Sequence, residues 1–229
     1  QLMRLKKSNY KENILVATTF EKGAEEIIKI SSKLNINYFQ GETKNVLDRF
    51  YKAAIKYQPK YIVRITSDCP LIDPLLIDKI VDFAKANNLD YASNVLVHNY
   101  PDGQDVEVIK YKALQIAWIE AKLNSEKEHV TPYIINNSSF YNKKKFRALN
   151  YKENFNTKYS TLRMTVDYEI DLDAIKFLIN KKGVFCSWEV YADLMLAHLL
   201  EFKNQNFKRN ENYLNQIFFE NESDRTESI

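Results

Sequence analysis

The fold of this chain is decided by the stretch Tyr61-Ile-Val-Arg-Ile-Thr-Ser-Asp-Cys-Pro-Leu-Ile-Asp-Pro74. Its first part is short, apolar and β-branched, which predicts a buried strand, and Pro70 prevents that strand from continuing. Pro74 has the backbone φ of a first helical turn, so a helix is predicted to begin there. Asp68 therefore lies just beyond the carboxyl end of a strand, where open α/β sheets bind their ligands. A carboxylate at this place can hold a hard cation such as Mg²⁺.

The same arrangement recurs about a hundred residues further on. Residues 162–166 are apolar enough to predict a second strand, which ends at Asp167 and is followed by a helical pattern. Acidic residues at 169, 171 and 173 suit the first turns of that helix, whose dipole favours them. Two carboxylates at strand ends could share one metal ion, although an Asp before a helix is also a common N-cap. The residues alone leave both interpretations of Asp68 open.

Strands and helices are predicted to alternate along the first hundred residues. Strand patterns occur at 14–18, 36–39, 61–65 and 90–97, and helical patterns at 24–34, 45–57 and 75–86. This alternation predicts an α/β fold with a mostly parallel sheet covered by helices on both faces, which makes three layers, α/β/α. From residue 100 the pattern changes to a mixture of strands (106–109, 146–151, 162–166) and helices (111–123, 126–135). We expect these residues to form a small α+β lobe over the carboxyl edge of the sheet. A last helix is predicted at 188–202.

Composition narrows the class of protein. The chain has 229 residues, which fits one domain, and its 33 basic and 30 acidic residues leave a net charge of only +3. That balance argues against a nucleic-acid binder, which needs excess positive charge. No apolar run reaches 18 residues, so no transmembrane helix or membrane partner is predicted. The two cysteines form no CxxC pair, which fits a reduced, cytoplasmic location.

The lobe contains several polar candidates for binding a substrate. Asp102 precedes Gly103 and is most simply a turn former. Asp105 and Glu107 have the same parity in a predicted strand, so both would face one side, towards a ligand or towards solvent. Glu128 and His129 are adjacent, and adjacent residues of a helix point in different directions, so they cannot be a simple pair of metal ligands. His129 could bind a substrate or serve only the structure.

Several motifs occur in a characteristic order along the chain. They are Val46–Ala54, Ser67-Asp-Cys-Pro-Leu-Ile-Asp73, Tyr100-Pro-Asp-Gly-Gln-Asp-Val-Glu-Val108, Glu128-His-Val-Thr-Pro-Tyr-Ile134, Thr165-Val-Asp-Tyr168 and Arg209-Asn-Glu211. Together they resemble the cytidylyltransferases that activate sugar acids, and most of all the spore-coat polysaccharide biosynthesis protein F type. Each motif is short and weakly specific, whereas their order over roughly residues 5 to 215 is much more specific.

The resemblance implies a fold, a reaction and a set of site residues. The fold would be Rossmann-like, as in nucleotide-diphospho-sugar transferases. The reaction would be Mg²⁺-dependent transfer of a nucleotidyl group from CTP to a sugar acid or sugar phosphate for cell-surface polysaccharide synthesis, in a protein that can form a homodimer. Catalysis and metal binding would fall to Asp68 and Asp167. The nucleotide would be bound by Gly41, Arg49, Ser67 and Asp68. The acceptor would be bound by Asn94, Asp102, Asp105, Glu107, Glu128 and His129.

One departure from the family pattern concerns the nucleotide triphosphate. Such enzymes are expected to begin with a strand and a Gly/Arg/Lys-rich loop, but the four glycines of this chain are widely separated and form no phosphate-binding motif. We therefore expect an N-terminally truncated single domain, residues 1–229, with a substrate or dimerisation lobe at 100–160. Two other functions stay open: a metal-dependent glycosyltransferase of related fold and a non-catalytic interaction module. The first would use a D-x-D motif, for which Asp171-Leu-Asp173 has the spacing but not the strand-end position.

Overall fold

The computed structural model describes residues 1–153, 157–207, 209 and 217. The chain folds as two compact units. The first contains Gln1–Ile14, Val63–Ile109 and Leu149–Phe207; the second contains Leu15–Ile62, Lys110–Ala148 and the described residues beyond 207. The predicted lobe at 100–160 is thus divided between the two units, with residues 110–148 in the second.

Strands and helices alternate as the sequence predicts, which confirms the α/β class. The strands are β1 (Leu15–Thr18), β2 (Asn37–Gln40), β3 (Tyr61–Arg64), β4 (Tyr91–Ser93), β5 (Glu107–Lys110) and β6 (Ala148–Asn150). The helices are α1 (Leu2–Leu5), α2 (Ala24–Lys33), α3 (Val46–Ile55), α4 (Pro74–Ala86), α5 (Tyr111–Glu120), α6 (Asn124–His129), α7 (Pro132–Asn136), α8 (Glu169–Lys182) and α9 (Trp188–Ala197).

The strands form a parallel pair and a four-stranded sheet. In the second unit β1 runs parallel to β2, with Leu15 opposite Asn37. The four-stranded sheet has the order β3-β5-β4-β6. Its β4 and β5 are antiparallel, with Tyr91 opposite Ile109. A sheet predicted as mostly parallel is therefore mixed here, because the connection between β4 and β5 contains no crossover helix and returns the chain in the opposite direction.

Helix α4 begins as the sequence predicts, and its N-cap residue shows whether Asp68 caps this helix. Pro74 is the first helical residue, and the side chain of Asp73 accepts a hydrogen bond from the backbone N–H of Leu75 at 2.8 Å. The other carboxylate oxygen of Asp73 accepts from the N–H of Trp188, at the start of α9, also at 2.8 Å. Asp73 is thus the capping residue, and the N-cap interpretation of Asp68 is wrong.

Two predicted elements differ from those observed. The sequence predicts a strand at 162–166, but this extended backbone has one isolated bridge, from Arg163 to Asp102, and lies outside the named strands. The reason is that the segment divides its hydrogen bonds between Asp102 and Asp68. The predicted helix at 126–135 is broken into α6 and α7. The break is at Val130, whose positive φ of 72° lies outside the helical region, and Pro132 then begins α7 as its first residue.

Helix α9 is shorter than predicted. It ends at Ala197 instead of extending to 202, and a 3₁₀ turn at Leu199–Glu201 follows it. Residues 220–229, where the sequence suggests a polar tail, lie outside the described residues.

Candidate active site

Asp68 lies in the loop after β3 and is tied to the segment that precedes Asp167. Its backbone carbonyl accepts a hydrogen bond from the N–H of Val166 at 2.8 Å and one from the Thr165 hydroxyl at 3.2 Å. Both contacts are within the first unit, and they join residues almost a hundred positions apart. The structure therefore brings together the two carboxylate-bearing segments that the sequence singles out.

A small cavity opens beside this loop. It has a volume of about 280 Å³ and is lined by Ser67, Asp68, Pro70, Val166, Leu172 and Ile175. The size is near the lower end of ligand pockets. A polar edge at Ser67 and Asp68 faces apolar walls from Pro70, Val166 and α8.

Asp105 lies close to Cys69, which belongs to the same loop as Asp68. Burial raises the pKa of the Cys69 thiol well above its ordinary value, and the nearby carboxylates of Asp105 and Asp68 raise it further. The thiol donates a hydrogen bond to Oδ1 of Asp68 at 3.4 Å. A thiol that stays protonated is a poor nucleophile, so the buried Cys69 side chain serves packing and not covalent chemistry.

Arg163 holds Asp167 from the inner side of the site. Its side chain is only 4% exposed, and Nη2 donates to Oδ2 of Asp167 at 2.6 Å. The same guanidinium donates to Asp102 at 3.2 Å and to both carboxylate oxygens of Asp171, at 2.9 and 2.8 Å. The Asp167 side chain is itself 42% exposed. Its carboxylate is thus oriented by a buried cation and still open to a ligand.

Asp171 does more than interact favourably with the dipole of α8: it is a buried acceptor for several hydrogen bonds around Arg163. It is fully buried and accepts from the backbone N–H groups of Asp167 and Tyr168, each at 3.0 Å. Burial by itself would raise the pKa of Asp171, but the hydrogen bonds from Arg163, Tyr168 and Asn204 outweigh it and lower that pKa to about 2. The sequence patterns did not single out Arg163. The available signal was its spacing, since an arginine lies 4 residues before Asp167 and 8 before Asp171.

The donor set at Asp68 and Asp167 fits a magnesium ion. Asp68 offers carboxylate oxygens at the edge of the cavity, and the half-exposed Asp167 directly follows Val166, which lines it. Mg²⁺ is held by few carboxylates together with water and substrate phosphates. Within the described residues, no group of three or more His, Cys, Asp and Glu side chains is arranged around a common metal position.

Three residues predicted to bind the acceptor have structural partners in the first unit. Asn94 is buried and bridges the backbone of Gln104 and Val106, at 2.7 and 2.9 Å. Glu107 is 6% exposed, lies in β5, and accepts hydrogen bonds from Tyr91 at 2.7 Å and Arg64 at 2.5 Å. The carboxylate of Asp102 accepts a hydrogen bond from Nη1 of Arg163 at 3.2 Å. The parity argument places Asp105 and Glu107 on one side of a strand, but β5 begins at Glu107.

Gln104 holds the loop that follows Asp68 in place, and the sequence patterns did not single it out. It is fully buried, and its amide donates to the carbonyl of Leu71 at 3.0 Å and accepts from the N–H of Asp73 at 2.9 Å. These bonds fix the loop between Cys69 and α4. The sequence signal was its place beside Gly103 in the Pro101-Asp-Gly-Gln104 turn, which the N–H of Gln104 closes on the carbonyl of Pro101 at 3.1 Å.

The remaining candidates lie in the second unit. Gly41 packs closely on Arg49, because a Cβ at Gly41 would lie 3.0 Å from Cγ of Arg49. Arg49 donates to the carbonyl of Glu42 at 2.8 Å, and its buried Nε has no hydrogen-bond partner within the part of the chain described. Glu128 is exposed and His129 half-buried at the end of α6. Of the Arg209-Asn-Glu211 motif, residues 210 and 211 lie outside the described residues.

No helix among the described residues is long and apolar enough to cross a membrane.

Comparison with known proteins gives a consistent result. A family model described as cytidylyltransferase matches residues 1–217. An uncharacterized protein of Methanocaldococcus jannaschii is 44% identical over 142 residues, which are 61% of this chain and 56% of that protein. The spore coat polysaccharide biosynthesis protein SpsF of Bacillus subtilis is 31% identical over 175 residues, which are 76% of this chain and 69% of that protein. The chain thus spans little more than half the length of the archaeal relative.

A solved structure of similar fold agrees with these relatives. It is a cytidylyltransferase from Leptospira borgpetersenii serovar Hardjo-bovis, with a TM-score of 0.81 and 27% sequence identity. The match covers 91% of this chain and 86% of that one.

Proposed function

The chain belongs to the cytidylyltransferase family, and we propose that it transfers a cytidylyl group from CTP to a sugar acid or sugar phosphate in a Mg²⁺-dependent reaction. The observation that carries this proposal is the pair of hydrogen bonds from Thr165 and Val166 to the Asp68 carbonyl. They hold the Asp68 loop against the segment that leads into Asp167. The role of SpsF in spore coat polysaccharide biosynthesis supports an acceptor destined for a cell-surface polysaccharide.

In this reaction an oxygen of the acceptor attacks the α-phosphorus of CTP, and the bond to the leaving pyrophosphate breaks. A bound Mg²⁺ ion supplies positive charge that offsets the charge on the phosphate oxygens. Asp68 and Asp167 would hold that ion, and Arg163 keeps the Asp167 carboxylate in place. Transfer of this kind depends mainly on position and charge, so it requires no nucleophilic side chain. The protonated Cys69 thiol is consistent with that expectation.

The other substrate contacts are part of the same proposal. Ser67 borders the cavity beside Asp68 and would bind the nucleotide phosphates together with it. In the second unit, Gly41 and Arg49 would bind the nucleotide; among the described residues, the buried Nε of Arg49 has no hydrogen-bond partner. Glu128 and His129 would bind the acceptor.

The glycosyltransferase alternative loses its main support in the structure. It required Asp171-Leu-Asp173 to act as a D-x-D metal motif. Asp171 is fully buried, and both of its carboxylate oxygens are taken by Arg163 and neighbouring donors. It therefore cannot turn outwards to a metal without breaking the Arg163 cluster.

The reaction is tested by pyrophosphate release from the full protein with CTP, Mg²⁺ and a panel of sugar acids and sugar phosphates. We expect release with CTP to exceed that with UTP, ATP and GTP, to need an acceptor, and to stop when EDTA removes divalent cations. Mass spectrometry should find the CMP-linked acceptor. Release of UDP or CDP from a nucleotide-sugar donor, without pyrophosphate from CTP, would instead indicate a glycosyltransferase.

Asp105 offers a sharper test of the acceptor site, because its carboxylate acts on Cys69, the residue next to Asp68, and its side chain is partly exposed. Replacing Asp105 by Ala should raise the KM for the acceptor roughly tenfold or more, the value of a lost hydrogen bond to a charged group. The KM for CTP should change less, since only one substrate loses a contact. The matched control is Asp173→Ala, which removes an exposed carboxylate of α8 that is 76% accessible. Equal increases in both KM values would refute an acceptor role for Asp105.

A further inference from the structure

Arg163 forms the centre of a buried ionic cluster in the first unit. The cluster consists of Arg163 with Asp102, Asp167 and Asp171, and the arginine is 4% exposed while Asp171 is fully buried. Nε and Nη2 of Arg163 form a fork with the two oxygens of Asp171, at 2.9 and 2.8 Å. A paired contact of this kind fixes the plane of a guanidinium group. Nη2 is thereby aimed so that it also reaches Asp167.

The backbone of Arg163 is fixed as firmly as its side chain. The side-chain amide of Gln205 accepts from the N–H of Arg163 at 2.8 Å and donates to its carbonyl at 3.0 Å. Asn204 adds a hydrogen bond to Oδ1 of Asp171 at 3.0 Å. The rings of Tyr168 and Phe207 lie 5.7 and 5.6 Å from the guanidinium carbon, within the range of cation–π attraction. The segment 204–207 thus braces the cluster.

The contact between Arg163 and Asp167 differs from the others in the cluster. Asp171 by itself balances the charge of the arginine, in a buried and doubly hydrogen-bonded pair. Asp167 is 42% exposed, and an exposed ion pair contributes little to the free energy of unfolding. Its contact is nevertheless short, 2.6 Å, and uses Oδ2 of the carboxylate. The main effect of this bond is therefore to orient Asp167, whose Oδ1 takes no hydrogen bond from the part of the chain that the structure describes.

We propose that Arg163 is a positioning residue, which holds the carboxylate of Asp167 in the orientation that binds a divalent cation. This inference rests on the proposed function, since it takes Asp167 as a metal ligand. Lysine could keep the positive charge at this position, but it lacks the planar fork that engages Asp171 and Asp167 together. Arg163 therefore acts through its geometry as well as through its charge.

The test is the affinity of the full protein for Mn²⁺, measured by electron paramagnetic resonance in the absence of acceptor. In the Arg163→Lys variant, we expect the dissociation constant for Mn²⁺ to rise roughly 10- to 100-fold, the usual effect of losing a residue that orients a metal ligand. The matched control is Arg4→Lys. Arg4 is equally buried, 3% exposed, and donates to the carbonyls of Ile72 and Val184, at 2.8 and 2.7 Å. That variant should lose stability and keep its Mn²⁺ affinity per folded molecule.

Two further variants show whether a negative result contradicts the metal assignment or only the positioning role of Arg163. If Asp167→Asn leaves the Mn²⁺ affinity unchanged, the metal assignment in the proposed function is wrong, and the present inference is wrong with it. If Asp167→Asn weakens binding but Arg163→Lys binds as the unmodified protein does, only the positioning role is refuted. Should Arg163→Lys fail to fold, Gln205→Ala removes the brace and retains the arginine. A severalfold weaker affinity is expected there, and an unchanged affinity contradicts the proposal.

Discussion

Replacing Asp68 or Asp167 by Asn is expected to lower kcat by on the order of 100-fold or more, with the fold intact. The amide keeps the size of the side chain but loses the negative charge that Mg²⁺ requires. Neither carboxylate contributes much to the free energy of unfolding. Asp68 is tied to Thr165 and Val166 by its backbone carbonyl, which the substitution retains, and the pair of Asp167 with Arg163 is exposed on the aspartate side.

The measurement is pyrophosphate release per folded molecule, alongside thermal unfolding followed by circular dichroism. Asp73→Ala is the matched control from the same loop, because Asp73 is the true N-cap of α4. It should lose about 1 kcal/mol or more of stability and keep its rate per folded molecule. The opposite pattern for Asp68→Asn, a less stable protein with an unchanged rate, would show that Asp68 serves the fold alone.

Gly103→Ala is expected to destabilise the protein by about 3 kcal/mol or more. Gly103 has a φ of +100°, which L residues rarely adopt, and a Cβ there would lie 2.6 Å from the backbone carbonyl carbon and oxygen of Met164. It would also lie 2.8 Å from the backbone nitrogen of Thr165. Backbone atoms cannot turn aside as a flexible side chain does, so the 164–165 segment must move. Because that segment holds the Asp68 loop, the rate per folded molecule should fall too.

The control for this substitution is Gly23→Ala. Gly23 has nearly the same φ, +97°, but a Cβ there meets nothing within 4 Å. It therefore bears only the cost of the backbone conformation, about 1 kcal/mol. Urea unfolding of both variants measures the difference. Equal losses at the two positions would mean that the contact with Met164 and Thr165 is unimportant and that φ alone accounts for the effect.

The sequence by itself determined the features that depend on near neighbours. Pro74 and the β-branched residues before Asp68 predict a strand, a turn and a helix, because both act on the backbone of adjacent residues. The order of the motifs along the chain was enough to indicate the cytidylyltransferase family. The two acidic positions also follow from local patterns, since each comes directly after an extended segment and before a helix.

Only the tertiary structure decided which side chains serve the fold and which are open to a ligand. Asp73 rather than Asp68 caps α4, and Glu107 binds Tyr91 and Arg64 in a buried position. The roles of Arg163 and Gln104 depend on partners such as Gln205 and Leu71, which are 42 and 33 positions away. Local patterns carry no information about such contacts, because a hydrogen bond between distant segments exists only once folding has placed both of them. The segment 162–166 differs from its predicted strand for the same reason: an apolar pattern predicts extended backbone, but the number of neighbours that pair with it is a property of the whole fold.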